Sequence, residues 1–163
     1  MNDPQVPAHL EYVFEMRVEF RPERCMFGPL PGGGGHQGYT PCASGTIYGP
    51  RLSGIVVPDS GADYAHVRTD GTVVVNSHYL LEADDGTKIY INNNGYLVPS
   101  KPGEGKLVHG VRQPAYFCFS PTFTVPEGPH DWMSRTLFIG TGHRRTDPDH
   151  SIFTYYAVRS TID

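Results

Sequence analysis

A chain of 163 residues is long enough for one domain with a real core, and its net charge of -4 is mild. Its 13 Lys and Arg are interspersed with 17 Asp and Glu. No basic run exceeds two residues, which excludes the clustered patch that nucleic acid or an anionic membrane requires. No stretch approaches the roughly 18 apolar residues of a membrane-crossing helix, and Met1 to His9 lacks the layout of a secretory signal. A cytoplasmic location is the expectation. The three cysteines, Cys25, Cys42 and Cys118, form no C-x-x-C pair and read as reduced thiols, with Cys118 a buried small hydrophobe in Phe-Cys-Phe.

Leu10 to Phe20 alternates strictly. Leu10, Tyr12, Phe14, Met16, Val18 and Phe20 share one face, while Glu11, Glu15, Arg17 and Glu19 share the other, broken only by Val13. Period two over eleven residues predicts a strand with one buried face. Residues 21–43 then read as a long irregular connection containing the glycine run Gly32 to Gly35. A second strand is expected from about Gly45 to Val57, bent at Gly49-Pro50 and Gly54, followed by the turn Pro58 to Gly61.

Ala62 to Arg68 is a short strand. Two hairpins follow, closed by Asp70-Gly71 and Asp85-Gly86, which join strands at Thr72 to Ala83 and Thr87 to Val98. After a charged loop, Leu107 to Val125 supplies one long or broken strand interrupted at Pro114 and Pro121. Trp132 to Arg144 gives another, entered through a helical turn, and Ser151 to Arg159 the last. About eight antiparallel-compatible strands predict an all-β domain spanning residues 1–163, with its core in 10–160. Such strands either stack as a sandwich or close as a barrel; a meander is the simplest topology, and the expectation is an antiparallel β-barrel whose interior holds side chains or one small ligand.

Several blocks resemble a known family. They are Gly49-Pro-Arg-Leu-Ser-Gly54, Gly61-Ala-Asp-Tyr64, Val67-Arg-Thr-Asp-Gly71, Tyr79, Asp84-Asp-Gly-Thr-Lys-Ile-Tyr90 and Asn93-Asn-Gly95. In the C-terminal half they are Tyr116-Phe117, Pro121-x-Phe123, Trp132-x-x-Arg135, Leu137-Phe-Ile-Gly-Thr-Gly142 and Arg144. Together they resemble domain of unknown function 3237, the UPF0311 group, over roughly Tyr12 to Val158. The resemblance implies a pocket-bearing barrel similar to allene oxide cyclase and the dirigent proteins, which steer reactive small molecules without a cofactor. The chain departs from the family in having Cys42-Ala-Ser-Gly45 where a Gly-Gly pair is usual, and Asn76 and His78 where Asp and Arg are usual.

Candidate chemistry centres on the strand Thr72 to Ala83. Val73, Val75, Ser77, Tyr79 and Leu81 share one face; Val74, Asn76, His78, Leu80 and Glu82 share the other. The second face either meets solvent or lines the interior. In the second case His78, with an ordinary pKa of about 6.5, can act as acid or base. Asp63 either orients such an imidazole or caps its turn. Arg135 either holds an anionic substrate or forms a structural ion pair. Asn93, among isoleucines, is a structural pin or a ligand contact. Trp132 is a pocket wall or a plug at a barrel end. Tyr12, Tyr64, Tyr79 and Tyr90 fall in or beside the matched blocks, and an interior phenol can donate to an oxyanion or stack on an aromatic ligand.

Eight histidines occur without H-x-H, H-x-x-x-H or H-E-x-x-H spacing, so no metal site is expected. Taken with the family resemblance, these residues lead to the expectation of a cofactor-free isomerase, cyclase or lyase acting on a small hydrophobic or aromatic metabolite. Asp63, His78 and Arg135 are the catalytic candidates. Tyr12, Tyr64, Asn76, Tyr79, Tyr90, Asn93 and Trp132 are the ligand contacts. The alternative is a non-catalytic, lipocalin-like carrier. Association into homo-oligomers is expected by analogy with related barrels.

Overall fold

The computed structural model describes residues 5–160, leaving Met1 to Pro4 of the N-terminal segment outside the described residues. The chain runs through β1 (Ala8–Phe20), β2 (Cys25–Phe27), β3 (His36–Tyr48), β4 (Gly54–Val56), β5 (Ala62–Asp63), β6 (His66–Val67), β7 (Val73–Ala83) and β8 (Lys88–Val98). It continues through β9 (Leu107–Val108), β10 (Val111–Arg112), β11 (Tyr116–Thr124), β12 (Phe138–Thr146) and β13 (Asp149–Ser160). A 3₁₀ turn, Asp131–Arg135, precedes β12.

Each stave pairs antiparallel with its neighbour in the order β1, β13, β12, β11, β8, β7, then the broken stave β4–β6, then β3. Pairing of β3 with β1, from Glu15 opposite Tyr48 to Phe20 opposite Cys42, closes an eight-staved ring. This is an up-and-down β-barrel, which leaves no open edge along its main staves.

The first strand carries one correction. Val13 is an extra residue in the ladder with β13, because Tyr12 faces Tyr156 and Phe14 faces Tyr155. Such a bulge exchanges the two faces of a strand. Val13 and Phe14 are therefore both buried, whereas Leu10 and Tyr12 point outward, 52% and 41% exposed. The apolar Val13 on a polar face was the mark of this bulge.

Residues 21–43 are also more regular than expected. They hold β2 and the first eight residues of β3, which pair with each other and with β5 and β6. Gly38 and Pro41 hide this strand from propensity, but cross-strand pairing overrides it. Pro41 sits beside the register shift at Glu19/Phe20, where a missing N–H is tolerated. The expected strand Gly45 to Val57 is cut at residues 49–53 into the end of β3 and β4. Cys118 is only half-buried, while Cys42 is the buried thiol.

Side chains from alternate positions fill one end of the barrel. Phe14 stacks on Tyr155 at 4.4 Å, and Phe123 meets Phe138 at 4.9 Å. Met133 and Trp132, on the 3₁₀ turn, cover that layer. Arg51 and Arg159 lie over the Trp132 ring at 4.2 and 5.6 Å, and both pair with Glu11.

Candidate functional site

The opposite end is not filled. About 100 Å³ of the interior there is open to water-sized molecules. A cavity needs only about 10–15 Å³ by such a measure to hold one water, so this space takes several waters or a small ring. Its wall is largely aromatic, from Phe117 and Phe119 on β11 and Phe153 on β13. These three rings contact one another edge to face at 5.4 to 5.9 Å. Gly140 and Gly142 on β12 make room for them. A Cβ at Gly140 would stand 1.9 Å from the Phe119 ring, and one at Gly142 would stand 2.8 Å from Phe117. The Gly-Thr-Gly block is thus a packing requirement of the aromatic wall.

Across the cavity the wall is polar. The ladder sets Asp63 of β5 opposite Thr40 of β3 and Ser77 of β7, and Ser77 opposite Asn93 of β8. All four line the cavity. Burial pushes the Asp63 carboxyl above the ordinary aspartate range, although hydrogen bonds from the Ser77 side chain and the Asn76 amide (3.2 Å) work against it. Deeper in, Asn93 Nδ2 donates to the hydroxyls of Tyr79 and Tyr155, both at 3.3 Å. Asn93 is 2% exposed, yet its Oδ1 has no hydrogen-bond partner among the described residues. Burial also drives both phenols upward, so they stay protonated. Cys42 is pushed up to about 12 by burial, which leaves a thiol rather than a nucleophilic thiolate.

At the mouth, Phe20 and Arg144 flank the opening, with the guanidinium 5.1 Å from the Phe20 ring. Arg144 pairs with Asp149. Gln113 fixes its backbone by two hydrogen bonds of 3.1 Å, one from the Arg144 N–H and one to its carbonyl.

Asp63, Tyr79 and Asn93, three of the residues singled out in the sequence, line this cavity. The others lie elsewhere. The inward face of β7 is the one bearing Ser77 and Tyr79, so Asn76 and His78 face outward. Tyr64 stacks on His78 at 5.2 Å, and Tyr90 meets it edge-on at 6.1 Å, all on the barrel exterior. Tyr12 is turned out by the bulge and packs against Tyr156. Arg135 is exposed and pairs with Asp131 one helical turn away. Trp132 is a plug at the closed end. Thr40, Cys42, Ser77, Arg144 and Ser151 line the cavity but were not among the expected site residues. For Ser77 the signal was present, since it shares a face with Tyr79; the others depend on which strands become neighbours. Among the described residues no three His, Cys, Asp or Glu side chains converge as a metal site. Among the described residues no helix is long and apolar enough to cross a membrane.

The family described as protein of unknown function (DUF3237) matches residues 8–158. A UPF0311 protein of Clostridium acetobutylicum is 30% identical over 131 residues, covering 76% of this chain and 78% of that protein. One from Rhodopseudomonas palustris is 29% identical over 117 residues, covering 66% and 71%. Among solved structures, a beta-barrel like protein of Acinetobacter baumannii superposes with a TM-score of 0.81 at 26% identity, over 97% of this chain and 99% of that one. An enzyme from Penicillium herquei superposes with a TM-score of 0.72 over 98% and 100% of the two chains. At 17% identity that likeness is one of fold.

Proposed function

The chain belongs to the DUF3237 family, and we propose that its barrel binds a small, largely apolar metabolite and moves a proton on it without a cofactor. The observation that carries this reading is a carboxyl of raised pKa, Asp63, sharing an aromatic cavity with a buried amide, Asn93, that lacks a full set of partners. A carboxylate in such a place is a stronger base than one in water, so it can take a proton and return it elsewhere. The protonated Tyr79 phenol is an O–H donor able to meet the charge that develops on an oxygen of the substrate, while Asn93 Oδ1 accepts a hydrogen bond from a substrate hydroxyl. Isomerisation, cyclisation and elimination share this proton step. The aromatic wall holds the reacting atoms in place.

The test is solvent exchange. Small aromatic ketones and phenols are incubated with the protein in D₂O and followed by NMR. Wild type is expected to introduce deuterium at an acidic position of a bound compound, and Asp63→Asn to bind the same compound without exchange. Binding with neither exchange nor product, across a panel that includes crystallographically confirmed ligands, would leave a lipocalin-like carrier as the better description.

A further inference from the structure

The mouth of the cavity is cationic, and it continues outward. A shallow groove of about 280 Å³ adjoins the opening and shares Leu97 and Arg144 with it. Its floor adds Arg112, Ser100 and Gln113. The charges there do not cancel. Asp149 is the common partner of Arg144 and Arg24, so two guanidiniums share one carboxylate. Arg112 is held by the backbone carbonyls of Glu104 and Gly105 rather than by a carboxylate. Two guanidinium groups on one continuous surface, beside an apolar hole that takes about one ring, define a complementary shape. It is a flat apolar body with an anionic head.

We infer that the ligand of this barrel is a small aromatic or alkenyl carboxylate whose ring enters the Phe117–Phe119–Phe153 wall and whose carboxylate rests on Arg144 and Arg112 at the mouth. The inference rests on the pocket reading above and gives it a substrate class. Arginine suits the task because its planar fork meets a carboxylate with two parallel hydrogen bonds, and because it keeps its charge against an aromatic face. Phe20 supplies that face for Arg144. The unpartnered Asn93 Oδ1, at the far end of the same cavity, supplies an acceptor for a hydroxyl on the buried end of the ligand.

Calorimetric titration with phenylacetate and with its neutral analogue phenylacetamide tests this. Wild type is expected to bind the carboxylate about tenfold more tightly, with the preference shrinking as salt is raised. Arg144→Gln is expected to abolish the preference. Because Arg144 also ties β12 to Asp149 at the start of β13, Arg112→Gln is measured alongside; Arg112 is exposed, and its replacement is expected to reduce the preference severalfold in a fully folded protein. Equal affinity for the two compounds, or an unchanged preference in both variants, overturns the anionic assignment while leaving the cavity reading intact. Displacement of phenylacetate by inorganic phosphate at lower concentration than by acetate overturns the choice of carboxylate. Failure of both compounds and of neutral single-ring fragments to bind removes the cavity reading and this inference together.

Discussion

The two ends of the barrel use the same staves for opposite purposes. At the closed end, β1, β11, β12 and β13 contribute Phe14, Phe123, Phe138 and Tyr155; Phe14 stacks on Tyr155 and Phe123 meets the other three edge to face beneath Met133 and Trp132. A few residues further along the same strands, aromatic rings line the cavity without filling it, and Asp63, Ser77 and Asn93 stand where a packed core would have aliphatic groups. The closed end contributes stability through burial and dispersion. The open end gives stability up, because a carboxyl with a raised pKa and an amide without a full set of partners both favour leaving the interior. A barrel makes the division workable, since a ring of ladders hydrogen-bonded all round holds its shape even when one end is hollow.

The largest effect should come from opening the closed end. Phe138 is fully buried between Phe123 and Trp132, so Phe138→Ala should cost about 3–5 kcal/mol in urea unfolding. If it costs under about 1 kcal/mol, the closed end is not the stabilising half. Overfilling the open end should come next. Gly140→Ala drives a methyl into the Phe119 ring and should destabilise by about 1–3 kcal/mol while shrinking the cavity. Ligand binding measured on the folded variant should weaken with it.

Asp63→Asn should move the other way. A folded-state pKa raised by burial means that the folded protein holds this proton more tightly than the unfolded chain. Asp63 therefore favours folding most at pH below the unfolded aspartate value, and that contribution is lost as the pH rises through the raised one. The neutral amide should accordingly give a small rise in Tm at pH 7 that fades below about pH 4, together with loss of proton exchange. A fall in Tm at pH 7 would instead make Asp63 a structural carboxylate. His78→Ala should have the smallest effect, under about 0.5 kcal/mol, with ligand affinity unchanged, because the imidazole lies outside the barrel. A severalfold loss of affinity would place the binding site on the outer face.

Much of this molecule was legible before any coordinates. Alternation over Leu10 to Phe20 reads as a half-buried strand, and Asp-Gly pairs between β-branched runs read as tight turns, so the all-β class follows from local rules, whereas closure into a barrel does not. The family blocks also drew attention to Asp63, Tyr79 and Asn93. What alternation cannot supply is the sign of a face. On β7 both candidate faces carry polar side chains, and whether Ser77 or His78 enters the interior depends on the direction in which the closed sheet curls. On β1 one inserted residue, Val13, reversed the faces and carried Tyr12 outside. The mouth is still less local: Arg144, Phe20 and Leu97 lie on three strands far apart in sequence. They meet because a ring brings distant staves to one rim, and the pairing that sets this order belongs to the whole sheet rather than to any segment of it.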